Sequence, residues 1–128
     1  MKIILKNIRQ NTRPNQVGII KDFISFLQDR APLKNDIVVM FTSDRTDHLI
    51  TTGRQYEDSI KIFVKERILV DILRTLAHEW VHELQYENPK EEPQSERSIE
   101  DHANSLGGFL IRKFVLDNPH HESELYKD

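Results

Sequence analysis

The sequence predicts an α+β fold: a small sheet of about four strands packed on helices, within one domain spanning residues 1–128. Three observations lead there. Short β-branched apolar runs, such as Ile37-Val38-Val39-Met40-Phe41, punctuate the first half of the chain. Three longer segments instead carry apolar residues at helical spacing. A length of 128 residues, 38% hydrophobic and 30% charged, suits one core under a well-solvated surface.

The elements follow in order. Residues 2 to 8 are rich in isoleucine and alternate loosely, which predicts a first strand ended by the polar stretch Arg9 to Asn15. Val17, Ile20, Phe23, Ile24 and Leu27 then form one stripe of a helix over Asn15 to Arg30, stopped by Pro32. Asp36 to Phe41 is a continuous apolar run suited to a strand buried on both faces. Asp47 to Thr51 is expected as a shorter, more polar strand, Gly53 to Asp58 as a loop, and Ser59 to Lys65 as a fourth strand. The period then changes. Leu69, Leu73, Leu76, Ala77, Trp80 and Leu84 mark the buried face of a helix over Leu69 to Tyr86. The proline-containing, charged stretch Glu87 to Arg97 is a solvated connection. A last helix over Ile99 to Leu116 presents Ile99, Ala103, Leu106, Leu110 and Phe114, with Ser98 as its N-cap and Asp101 at N3 of a capping box. Residues 118–128, including His120 and His121, are expected as a mobile polar tail.

Charge and cysteine content narrow the chemistry. A net charge of −3 supplies no global basic field, so neither nucleic acid nor an anionic membrane is an expected partner. No stretch approaches the ~20 apolar residues of a membrane span, and the charged N-terminus is no signal peptide, so a cytoplasmic location is expected. With no cysteine, disulfides and thiolate ligands are excluded, and any metal must be held by histidine and carboxylate.

Such a set is present. In His78-Glu79-Trp80-Val81-His82 the two histidines are one helical turn apart on one face, able to grip one ion, with Glu79 beside the first. This is the H-E-x-x-H arrangement of metal-assisted hydrolysis, with Glu79 as general base on a zinc-bound water. A catalytic zinc site usually has three protein ligands, and the candidates for the third cluster in Glu100-Asp101-His102. Helix phase favours Glu100, which shares a face with Ala103, Asn104 and Gly107. Their small side chains permit close approach, and Asn104 can hydrogen-bond a ligand. His102 is the second choice and Asp101, with its capping role, the third.

The string Ile72-Leu73-Arg74-Thr75-Leu76-Ala77-His78-Glu79-x-x-His82, with Gln85 later and Ile99-Glu100-x-x-Ala103-Asn104-x-Leu106-Gly107-Gly108 closing it, resembles the gluzincin clan of zinc metallopeptidases. It is similar in particular to small single-domain peptidases, many of them phage-encoded. The match covers about Ile60 to Phe114. The resemblance implies a minimal zincin-like fold, a small twisted mixed sheet over a central motif helix, with one zinc ion held by His78, His82 and Glu100. It implies a peptide or protein substrate added to an edge strand, expected at Asp47 to Thr51 with His48 near the cleft. The chain departs from the larger relatives in having no clear counterpart of their oxyanion-stabilising residue; Tyr86, His102, His48 and Arg97 are the substitutes considered. A narrow-specificity endopeptidase is the first functional expectation. The second is a zincin-like binding or assembly module that keeps the metal but is weakly active or inactive.

Overall fold

The computed structural model describes residues 1–44, 53–56, 59–89 and 95–127. In chain order its elements are β1 (Ile3–Lys6), α1 (Ile8–Asn11), α2 (Pro14–Arg30), β2 (Ile37–Thr42), β3 (Gly53–Tyr56), β4 (Ser59–Phe63), α3 (Leu69–Glu87), α4 (Glu96–Asp117), a 3-10 turn (Pro119–His121) and α5 (Glu122–Leu125). The fold is mixed α and β. Among the described residues the strands form one sheet in the order β1-β2-β4-β3. Its first three strands are parallel, with Val39 opposite Leu5 on one side and Ile60 on the other. β3 closes the far end antiparallel to β4, Gln55 opposite Ile60.

The central place of β2 explains its apolar run, although the burial is uneven. Ile37, Val39 and Phe41 are buried, whereas Val38 and Met40 are only half covered, so one face of the strand is fully packed rather than both. β1 is shorter than expected. Asn7 takes a left-handed conformation (φ 61°), which asparagine tolerates better than most residues, and the chain turns there into α1. Ile8, expected in the strand, starts that helix and is buried in the core.

α2 begins with Pro14 at its first position, where the missing N–H costs nothing, and Arg13 N–H donates to Gln16 Oε1 at 3.1 Å. Its stripe of Val17, Ile20, Phe23, Ile24 and Leu27 is buried, with Ile19 added. α3 has its core face at Leu69, Leu73, Leu76, Ala77 and Trp80, each fully buried, and packs against α2, β3, β4, α4 and α5. The indole of Trp80 sits in that core and donates to the Ala31 carbonyl at 2.8 Å, the carbonyl where α2 ends.

The strand expected at Asp47 to Thr51, with His48, lies outside the described residues. Three further differences from the sequence expectations stand out. Gly53–Tyr56, expected as loop, is a strand, because pairing with β4 confers what its own composition does not. α4 starts a turn earlier than expected: Ser95 is its N-cap, its Oγ accepting from Ser98 N–H at 3.1 Å and donating to Ser98 Oγ at 2.7 Å. Two serines three apart both suited the role, and the earlier one takes it, leaving Asp101 inside the helix, exposed and 3.9 Å from Arg97. Finally, the segment after Asn118 folds back. Leu125 is 0% exposed, Glu124 meets Arg13 and Asn15, and His121 lies 3.1 Å from Asp22 and stacks on Phe114. A single apolar side chain, placed one turn into α5, anchors an otherwise polar stretch.

Candidate metal centre

α3 is amphipathic with a narrow polar window. Leucines, Ala77 and Trp80 are drawn to the core, and this rotation leaves His78 and His82 on the flank facing α4. One turn apart, their Nε2 atoms approach to 3.1 Å with the rings crossed at 84°. Neither imidazole is fully buried, so an ion between them could keep a position open to water.

α4 completes the arrangement because it comes unusually close. Gly107 faces the backbone of His78: a Cβ there would lie 3.2 Å from His78 N and 3.3 Å from its Cα. Buried Ala103 continues the same narrow seam. Two turns before Gly107 on the same face, Glu100 therefore reaches across. Its Oε1 lies 2.9 Å from His82 Nε2 and its Oε2 lies 3.2 Å from His78 Nε2. Asn104, between Glu100 and Gly107 on that face, is near enough to His78 to favour its protonated form.

Glu79 occupies a different position. Its carboxylate is nearly buried and 3.9 Å from His78 Nε2, farther than Glu100 Oε2 at 3.2 Å. One donor atom from each of His78, Glu79 and His82 fits within 4.8 Å, a grouping able to hold a metal ion. Burial holds the His78 imidazole below its ordinary pKa, and the neighbouring His82 adds to this. The Glu100 carboxylate and the Asn104 side chain oppose it. The net direction favours the neutral imidazole, the form that can donate a lone pair.

The donor set passes a test of fit on spacing. Ligands bound tetrahedrally at 2.0–2.1 Å lie about 3.3 Å apart. The separations of 3.1, 2.9 and 3.2 Å among His78, His82 and Glu100 are close to that, and both elements presenting them are packed helices. Two imidazoles and a carboxylate are also the ligand chemistry zinc accepts.

The remaining candidates are disposed otherwise. Asp101 is turned to solvent beside Arg97 and away from the histidines. His102 faces Gln85 through Nδ1 at 3.0 Å. Tyr86 is exposed and lines a surface cleft with Ile4, Lys34, Asp36 and Val38. Arg74 pairs with Asp71 one turn before it. Gln85 is the residue whose part was not read from the sequence. It is buried, and its amide touches His82 Nδ1 at 2.8 Å, the Ile99 carbonyl at 3.0 Å and His102. The available signals were its place three residues after His82, on the histidine flank of the helix, and its presence in the string that carries the family resemblance.

Comparison with protein-family models, with curated proteins and with solved structures returned no match.

Proposed function

We propose that this chain is a metallopeptidase of gluzincin type, with a minimal zincin-like fold and one zinc ion held by His78, His82 and Glu100. The observation that carries the reading is the convergence of two imidazole nitrogens from one helix and both oxygens of one carboxylate from another at 2.9–3.2 Å, with the Glu79 carboxylate just outside that group. Zinc in such a site supplies a Lewis acid that polarises a carbonyl and lowers the pKa of water toward ~7. Glu79 acts as general base: it takes the proton of the water that attacks the scissile carbonyl and hands it to the departing amine. An extended peptide is the substrate that fits, adding by main-chain hydrogen bonds to β3, which ends the described sheet and lies alongside α3.

Zinc titration and peptide hydrolysis test the two halves separately. Wild type should bind one zinc ion per chain, and His82→Ala should lose it. Glu79→Gln should retain zinc while hydrolysis of a peptide library falls by roughly 10²–10⁴-fold. Wild-type turnover by Glu79→Gln would remove the general-base assignment.

A second reading keeps the metal but not the proteolysis. It is favoured by the placement of Tyr86 in another cleft and of Arg97 in solvent, which leaves two of the four considered oxyanion donors facing elsewhere. Stoichiometric zinc with no cleavage of any library peptide, by wild type and Glu79→Gln alike, is the result that selects it.

A further inference from the structure

Gln85 is 7% exposed, so its amide must find partners inside the protein. The Ile99 carbonyl, 3.0 Å from Gln85 Nε2, can only accept a hydrogen bond, and this decides which end of the amide is nitrogen. Rotating the amide by half a turn would set two carbonyl oxygens against each other. The second hydrogen of Nε2 points to His102 Nδ1, also at 3.0 Å, so that ring nitrogen accepts. Gln85 Oε1 is thereby turned to His82 Nδ1 at 2.8 Å, and an amide oxygen at that distance requires Nδ1 to carry the proton. A neutral imidazole has one ring proton. With it on Nδ1, the lone pair sits on Nε2, the atom that faces His78 at 3.1 Å and Glu100 at 2.9 Å.

We propose that Gln85 is a positioning residue of the metal centre, which fixes His82 in the tautomer that ligates through Nε2. The proposal rests on reading His78, His82 and Glu100 as the ligands. The same amide also grips Ile99 and His102, the residues immediately before Glu100 and two after it. One buried side chain thus sets the donor atom of α3 and the position of the α4 turn that carries the third ligand. Outer partners of this kind change metal affinity by about 10–100-fold.

Two variants separate the roles. Gln85→Leu has similar bulk and no hydrogen bonds. Gln85→Glu retains an oxygen to accept from His82 Nδ1–H but loses the donors to Ile99 and His102. The ring tautomers of the metal-free proteins are read by long-range nitrogen–proton correlation NMR, and zinc affinity by competition with a chromophoric chelator. Wild-type His82 should be protonated on Nδ1. Gln85→Leu should shift His82 toward the Nε2–H form and bind zinc about 10–100-fold more weakly. Gln85→Glu should keep the Nδ1–H form and bind zinc more tightly than Gln85→Leu. Nδ1–H retained in Gln85→Leu, or Nε2–H in wild type, overturns the proposal whatever the zinc result; the wild-type measurement decides even if a variant fails to fold. Absence of zinc binding by wild type instead overturns the ligand reading, while the tautomer remains decided on its own.

Discussion

Trp80 separates packing from chemistry within the H-E-x-x-H motif itself. The two histidines need a fixed backbone, and the residue between them that fixes it is fully buried and bonded to the Ala31 carbonyl. Trp80→Phe keeps most of the apolar volume but leaves that carbonyl without its donor, so a loss of about 1–3 kcal/mol is expected in urea unfolding. Zinc stoichiometry should be unchanged. Loss of zinc in a variant that still unfolds cooperatively would show the indole to be part of the site. At this scale the sequence is most readable where function is local. His78, Glu79 and His82 declare themselves because spacing by one and four along a helix is a property of the chain alone. Gln85 does not, because its value lies in an amide shared among His82, Ile99 and His102, and the last two belong to another helix.

Between elements, the site depends on how closely α4 lies against α3. Gly107 lets it do so, since any Cβ there would press on the backbone of Ala77 and His78 rather than on a side chain able to move aside. Gly107→Ala should force the helices apart by a few tenths of an ångström and cost about 1–3 kcal/mol. Glu100 shares that face, so zinc affinity should fall in the same variant; unchanged affinity and unchanged stability would mean that α4 is held from elsewhere. α5 offers a second test. Leu125→Ala empties a fully buried position and should cost about 2–5 kcal/mol, whereas a solvated tail would give nothing measurable. Elements were legible from sequence where one face is long and periodic, as in α2 and α3. They were not where a neighbour decides. β3 is a strand by virtue of β4, α4 chose Ser95 over an equally suitable Ser98, and the last turn is held by one leucine that no periodicity announces.

For the molecule as a whole, the proposed ligands lie on two helices joined by a connection that the sequence reads as solvated, so metal binding and folding should be coupled. An ion that binds the folded chain alone stabilises it by RT ln(1 + [L]/Kd), about 2.7 kcal/mol at a hundredfold excess over Kd. A chain of this size should then melt roughly 10 °C higher with zinc than with chelator. The metal-free protein has its own dependence on acid. His78 has a folded pKa lowered from 6.5 by burial and by His82, so below pH 6.5 the unfolded chain takes up a proton that the folded chain resists. The stability linked to His78 is therefore fully present above pH 6.5 and is lost as pH falls through the lower, folded value. Urea midpoints in chelator should decline from pH 7 toward pH 5, and less steeply in His78→Asn, which has no proton to take up. Equal slopes for the two proteins would place the acid sensitivity in other groups, and would mean that His78 is solvated too well for its neighbours to matter.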